Sequence, residues 1–347
     1  MKKVLFLLLC GIVLFNSCSS GGDNIEAIPT EQPDNSQSLG IYVKENQWIY
    51  SQMNMHYLWR EDLPDSSLCN YLLDPVSFFK SLLSARDRFS YCEHNPYYRA
   101  ETRSEDFYKR GSVLCDSIYE YKDCRIGYLC YGGYEDTKEL VPVMKRFYDA
   151  NIDELILDLR YNGGGLVSTC QYLCSCLVPE NAYGKLLEYL KYNDIISKRR
   201  MKAGLDSVYS YTIKTPTNGK PTLGDQSYGL CLSRLFVLTS KRTASASEST
   251  ILCLKPYMDV VTIGECTTGK GVGMETFYNE SCKYQLVPIT FQYYNATGKT
   301  VPDSGIMPDY PVEGGLDVDT DDIGNINEPL LETAINLILY ENVGAIN

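Results

Sequence analysis

Three short apolar runs constrain this chain most: Glu154 to Leu159 (ELILDL), Leu235 to Thr239 (LFVLT) and Asp259 to Gly264 (DVVTIG). Each is five or six residues long and rich in aliphatic side chains, which suits a strand buried on both faces better than a helix. Each also ends in small residues. The first runs into Asn162-Gly163-Gly164-Gly165, the second into Ser240 to Ala244, and the third into Gly264-Glu265-Cys266-Thr267-Thr268-Gly269-Lys270-Gly271. Helical patterns lie between and around them, over Thr137 to Ala150, Val167 to Leu177, from near Ser245, and over Glu328 to Tyr340. Arg125 to Tyr131 reads as a further strand and Tyr284 to Tyr294 as one long strand. This alternation predicts an α/β fold with helices packed on a sheet.

Composition narrows the function. The 347 residues carry a formal charge of −12 with a pI near 4.8, so neither nucleic acid nor an anionic lipid surface is the expected main partner. Two histidines leave little room for a His-rich metal site or a histidine-based triad. The chain opens with Met1-Lys2-Lys3, a twelve-residue apolar stretch from Val4 to Phe15, and then Ser17-Cys18. The stretch is too short to span a bilayer and fits the core of a secretory signal. A polar Pro/Gly/Ser/Asn-rich segment, residues 19–40, reads as a flexible tether. Residues 41–92 carry helical spacing at Trp48, Ile49, Tyr50, Met53, Tyr57 and Leu58. A second helix is expected from Asp74-Pro75, with Phe78, Phe79, Leu82 and Leu83 buried, and DRFSY at 87–91 closes the segment. Residues 93–112 are irregular, and 185–230 look long and polar.

Chemistry concentrates in the three turns. Ser245 follows a buried strand and begins a helix, where free N–H groups and the helix dipole favour an oxyanion. The same placement suits a plain N-cap. Lys270 is bracketed by glycines after the next strand. A lysine held in close-packed backbone can be desolvated towards a base, and a surface turn or a phosphate loop fits the same residues. Gly163, Gly164 and Gly165 could present backbone donors to an oxyanion or a peptide, or simply make a tight turn.

Taken together, the strings LDLRYNGGG (157–165), TASASE (243–248), GECTTGKG (264–271) and GIMPDYPV (305–312) resemble the carboxyl-terminal processing, or tail-specific, serine peptidases. In that family a lysine follows the nucleophilic serine by 25 residues, the spacing from Ser245 to Lys270. The resemblance implies a ClpP/crotonase-like peptidase core over residues 113–347, preceded by the small helical region at 41–92. It implies Ser245 as nucleophile, Lys270 as general base, Glu248 as a supporting group, the Ala246 and Gly164 N–H groups as the oxyanion hole, and Gly163 and Gly165 as substrate-binding backbone. No cofactor or metal is implied, and the substrate would be a peptide or an unfolded protein tail. Two departures stand out. Met274 occupies a position where many relatives carry Gln, and only the short connector 93–112 stands where relatives place a PDZ domain.

The N-terminus resembles a bacterial lipoprotein signal, with residues 1–17 removed and Cys18 lipidated, against the alternative of an ordinary secretory signal. Loss of Lys2 and Lys3 would take the charge from −12 to −14. The expected location is the cell envelope, with membrane contact through the lipid. Two rival readings remain at this stage: a catalytically weak peptide-binding protein on the same fold, and a glycan- or nutrient-binding envelope lipoprotein suggested by the 29 tyrosines. His56 and His94 read as structural or surface residues. The acidic run Asp317, Asp319, Asp321 and Asp322 reads as a solvated loop in place of a calcium site, and Cys170, Cys174 and Cys176 lack a second ligand pair for zinc. Of the fourteen cysteines, Cys10 would leave with the signal and Cys18 would carry lipid, and the remaining twelve are expected to be mostly reduced and buried, at Cys130, Cys170, Cys174 and Cys253 among others, with one or two bridges at most.

Overall fold

The computed structural model describes residues 40–94, 111–122, 124–220, 226–278, 283–314 and 323–344. The signal, the tether with Cys18, nearly all of the 93–112 connector and the acidic run at 317–322 lie outside the described residues.

The helical region begins with α1 (Val43–His56) and α2 (Pro75–Ser81). Asp74 caps α2 by accepting the Ser77 N–H at 3.0 Å, and Pro75 occupies the first turn, where its missing N–H costs nothing. The region ends in β1 (Tyr91–His94), which pairs antiparallel with β10 (Tyr284–Val287). Its last residues are therefore extended, where a helical segment was expected.

A six-stranded sheet follows, built from β2 (Val113–Tyr121), β3 (Cys124–Tyr131), β4 (Glu154–Asp158), β7 (Arg234–Thr239), β8 (Asp259–Gly264) and β12 (Tyr310–Pro311). The order is β12-β8-β7-β4-β3-β2, parallel throughout except for the antiparallel edge β2–β3. The helices α3 (Leu140–Ala150), α4 (Val167–Leu177) and α6 (Ala246–Leu254) cover one face, packing on Leu155, Leu157, Leu235 and Val237. Helix α7 (Pro329–Gly344) covers the other, packing Leu330, Leu331, Ala334 and Ile338 on Ile156, Phe236 and Leu238. Both faces are dry, which is why these strands read as continuous apolar runs. Pro142 is tolerated in α3 because it lies in the first turn, where N–H groups have no helical partner.

A second sheet runs β6-β5-β11-β9, all antiparallel, from β5 (Leu186–Tyr192), β6 (Tyr209–Thr212), β9 (Val272–Met274) and β11 (Ile289–Asn295), with α5 (Asp194–Lys202) after β5. The polar-looking stretch 185–230 thus contributes two strands and a helix. The single strand expected over Tyr284 to Tyr294 is two strands, β10 and β11, that pair with different partners. They part at Pro288, which has no N–H to give to a ladder. Val272 and Met274 face a third core shared with Ile49, Met53, Phe78 and Ile289. Met274 is therefore a packing residue between the helical region and β9.

Arg160, at the end of β4, is fully buried. Its guanidinium bonds Asp158 at 2.7 Å and Glu328 at 2.7 Å, and Asp158 also accepts the Tyr128 hydroxyl at 2.8 Å. Glu328 in turn accepts the N–H groups of Leu330 and Leu331 at the start of α7. One buried ion triad thus joins the end of β4 to the terminal helix. Arg160→Met leaves two buried carboxylates without their cation and is expected to lower stability by about 3–5 kcal/mol. Denaturant unfolding checks this, and a loss below about 1 kcal/mol would contradict the role assigned to the triad.

Candidate active site

Each of the three sequence turns lies at the carboxyl end of a central parallel strand: residues 159–165 after β4, 240–245 after β7 and 265–271 after β8. Adjacent parallel strands bring their carboxyl ends to one edge, so turns far apart in sequence meet there.

Ser245 precedes α6 with φ 58° and ψ −116°, a left-handed conformation unusual for a residue with a side chain. Holding it costs on the order of 1–3 kcal/mol, so the surroundings must impose it. Glu248, three residues on, accepts the Ser245 N–H at 3.0 Å. The Ser245 carbonyl accepts the Ser249 N–H at 2.8 Å and the Tyr293 hydroxyl at 3.1 Å. Asn162 supports the turn before it, with its carbonyl accepting the Ala244 N–H at 3.2 Å and the Ser247 hydroxyl at 3.0 Å. The Ser245 Oγ is buried and has no hydrogen-bond partner.

Lys270 sits in the neighbouring turn, 3% exposed. Gly269 has φ 78°, and a Cβ there would lie 2.3 Å from the Asp303 carbonyl oxygen, so only glycine admits this approach. The helical region reaches this turn through DRFSY. The Arg88 guanidinium donates to the Gly269 carbonyl at 2.7 Å, and the Phe89 ring lies 5.3 Å from the Lys270 Nζ. The GIMPDYPV segment braces the other side. Thr267 N–H donates to the Ile306 carbonyl at 3.1 Å, and Asp309 accepts both the N–H and the hydroxyl of Thr262 at 2.8 Å.

Two side chains join the serine and lysine turns. Glu248 accepts the N–H groups of Ser245 at 3.0 Å and Lys270 at 2.8 Å on one oxygen. Its other oxygen accepts the Gly269 N–H at 2.7 Å and the Thr267 hydroxyl. Burial pushes this carboxyl above its ordinary range, and the four donors pull it back towards the ionised form. Tyr293 on β11 donates to the carbonyls of both Ser245 and Lys270, at 3.1 and 2.9 Å. Burial raises its phenol well above the usual value, which keeps the donor protonated.

The glycine turn packs directly against the serine. Gly164 has φ 107°, and a Cβ there would lie 2.8 Å from the Ser245 Cβ and 3.0 Å from the Ala246 nitrogen. Its own N–H, expected to be a free oxyanion donor, instead donates to the Asn162 Oδ1 at 2.9 Å. An N–H has one hydrogen, so Gly164 acts here as a close-packed spacer. Gly165 pairs with Tyr134 as a short parallel bridge, and Gly163 is half-buried. Ala246 begins α6, so its N–H lies ahead of the first intrahelical bond.

Ser245, Lys270, Glu248, Ala246 and Gly164 thus come together at one edge of the sheet. Tyr293, Asn162, Arg88 and Phe89 belong to the same site and carry no sequence signal for it beyond lying in buried or motif-like stretches. The His56 ring lies against Phe277 and the His94 ring against Tyr284, each pair tilted with centroids 4.4 Å apart. Among the described residues no group of three or more Cys, His, Asp or Glu is placed to hold a metal ion, and all eleven cysteines are free thiols.

Val167, Cys170, Glu188, Leu190, Ser249, Phe291 and Tyr293 pack around Ala246 and leave no space large enough for a water molecule. Glu188 is 2% exposed, and burial pushes its carboxyl up to about 7. One oxygen accepts the Ser249 hydroxyl at 2.6 Å and the other has no partner.

Comparison with known proteins accords with this arrangement. The family model for peptidase family S41 matches residues 125–312, and that for the S41 N-terminal domain matches residues 44–91. The chain is 27% identical over 209 residues to the carboxy-terminal processing protease CtpA of Bacillus subtilis (strain 168), covering 59% of this chain and 39% of that protein. It is also 27% identical over 173 residues to the chloroplastic carboxyl-terminal-processing peptidase 1 of Arabidopsis thaliana, covering 50% and 30%. The chain therefore spans well under half the length of these curated relatives. Among solved structures, one from Bacteroides fragilis NCTC 9343, described as an S41 protease, shares the fold with a TM-score of 0.68 at 22% identity, covering 90% of this chain and 99% of that one. A lipoprotein from Streptococcus agalactiae shares it with a TM-score of 0.51 at 15% identity, covering 85% and 96%. With its core matched over residues 125–312 and its helical region over 44–91, the chain belongs to peptidase family S41.

Proposed function

We propose that this protein is a serine endopeptidase that cleaves peptides or unfolded protein tails through an acyl-enzyme on Ser245, with Lys270 as general base. The observation that carries this reading is the shared clamp on the two turns: Glu248 and Tyr293 each bond the backbones of both Ser245 and Lys270. Positioning of this kind converts a chance encounter of nucleophile and base into a fixed geometry.

In the reaction, Ser245 Oγ attacks the scissile carbonyl while its proton passes to Lys270 Nζ. The Ala246 N–H, at the positive end of α6, stabilises the oxyanion. The tetrahedral species collapses as Lys270 returns the proton to the leaving amine. Water, deprotonated by the same lysine, then attacks the acyl carbon, and the lysine returns that proton to Ser245 Oγ as its bond to the acyl group breaks. In this reading the Ser245–Lys270 hydrogen bond tightens as substrate binds, as is common for catalytic pairs. The unpartnered Oγ also favours a second reading, a peptide-binding protein that turns over slowly.

Hydrolysis of an unstructured protein separates the two readings. Ser245→Ala and Lys270→Ala are each expected to abolish product formation while leaving the thermal unfolding midpoint within a few degrees of wild type. Peptide binding by the wild type without measurable hydrolysis would establish the second reading and sink the first.

The same proposal places the enzyme in the bacterial cell envelope, tethered to a membrane by lipid on Cys18 after removal of residues 1–17. The support is the basic start, the twelve-residue apolar run and the Ser17-Cys18 junction ahead of a polar tether. Among the described residues no helix is long and apolar enough to cross a membrane. Growth with an alkyne fatty acid should label the wild-type chain and not Cys18→Ser, and equal labelling of the two would contradict the anchor.

A further inference from the structure

Two thiols face each other across the outer hairpin of the six-stranded sheet. Strands β2 and β3 run antiparallel, and their register sets Cys115 directly opposite Cys130. Both side chains lie on the α7 side of the sheet. Cys130 is buried with Ile126, Ile156 and Phe236, and Cys115 packs half-buried against the same cluster. Directly opposed residues of an antiparallel ladder have Cα atoms about 4.5–5.5 Å apart, inside the roughly 4.4–6.8 Å that a disulfide spans. Their Cβ atoms stand about 4.5–5.5 Å apart and a bridge needs about 3.5–4.5 Å, so closure asks for a small local shift. The register of β2 slips between Val113 and Cys115, just before the pair. An irregularity of this kind lets a strand bend locally while the ladder from Asp116 to Tyr121 stays paired.

The surroundings single this pair out. Cys170 and Cys174 lie four residues apart on α4, where Cβ atoms stand about 5–6 Å apart, too far for a bridge. The Cys170 thiol is also engaged with the Ala246 carbonyl at 3.6 Å. Cys115, by contrast, lies on the edge strand of its sheet, and Cys130 pairs in register with Asp158 on β4, the carboxylate that holds Arg160. A covalent link between them would tie the outermost strand to the row of the buried triad.

We propose that Cys115 and Cys130 are a thiol modification site that closes into a cross-strand disulfide and fastens β2 to the sheet. The inference goes beyond the peptidase reading and does not depend on it. The oxidant is a small-molecule or protein disulfide, of the class met in an oxidising compartment. The half-exposed Cys115 gives up its proton, and its thiolate attacks one sulfur of that disulfide. A mixed disulfide forms and the first thiol leaves. Cys130 then gives up its proton and attacks the Cys115 sulfur, which forms the internal bond and expels the second thiol. Two protein thiols are oxidised, and one external disulfide is reduced to two thiols. Burial raises both protein thiols above their ordinary range, so the exchange is slow near neutral pH and speeds up as pH rises.

The test is incubation of the folded full chain with oxidised glutathione at mildly alkaline pH, then alkylation and tryptic mapping without reductant. Cleavage after Arg110, Lys122, Arg125 and Lys138 puts Cys115 and Cys130 in separate peptides, 111–122 and 126–138, each holding one cysteine. The expected product is these two peptides joined, lost on treatment with dithiothreitol and absent in Cys115→Ser. The two cysteines are fifteen residues apart, so the bridge should raise the thermal unfolding midpoint by about 5 °C over the reduced chain. Both cysteines recovered alkylated, a glutathione adduct that persists on Cys115, or Cys115 and Cys130 joined to other cysteines would overturn the assignment. A midpoint unmoved in the bridged chain would overturn its role as a fastening. If Cys115→Ser does not fold, the wild-type map and its reversal by dithiothreitol still decide the question.

Discussion

The Glu248 carboxylate gathers four donors from two turns that lie more than twenty residues apart in sequence: the N–H groups of Ser245, Gly269 and Lys270 and the Thr267 hydroxyl. All four are buried, and each would otherwise carry the cost of an unmet hydrogen bond. A single acceptor-only group meets them together, so the serine turn and the lysine turn cannot move independently without exposing donors. The left-handed backbone at Ser245 is strain that this arrangement sustains. Tyr293 repeats the logic on the carbonyl side, donating to Ser245 and Lys270 from the second sheet.

Around this centre the support is layered. Asn162 holds the glycine turn through Gly164 N–H and the serine turn through the Ala244 N–H, and its own amide donates to the Tyr131 carbonyl at 2.9 Å. Below it, Ser240 and Thr243 donate their hydroxyls to the carbonyls of Arg160 and Leu159. Arg160 is fixed by Asp158 and Glu328, which carries the restraint to α7. The helical region contributes through Arg88 and Phe89 at the lysine turn and through Met53, Phe78 and Met274 in a shared core. It is thereby part of the site's frame as well as a separate packing unit.

Much of this was legible in the residues. The central strands announced themselves because sheets covered on both faces need continuous apolar runs, and Asp74-Pro75 marked a helix start because both residues act locally. Ser245, Lys270 and Glu248 could be singled out from motif strings and spacing, and the structure brings them together. What escaped depended on distant partners. Arg160 was visible, but its partner Glu328 lies 168 residues further on. Tyr293 was one of 29 tyrosines, and nothing local distinguishes a hydroxyl that meets two backbone carbonyls. Strand β5 was hidden because Glu188 and its tyrosines made the stretch look polar. Pro288 divided a strand that the apolar pattern joined. Met274 looked like a missing hydrogen-bond donor beside the lysine, whereas strand alternation turns it into a core.

The central claim is that Glu248 couples the serine and lysine turns into one reactive unit. The most direct measurement is the rate at which a fluorophosphonate modifies the chain, with the adduct located by peptide mapping. The account predicts a single adduct on Ser245 in wild type, formed about a hundredfold more slowly in Glu248→Gln, and undetectable in Lys270→Ala. An adduct at another residue, or equal rates in wild type and Glu248→Gln, would contradict it.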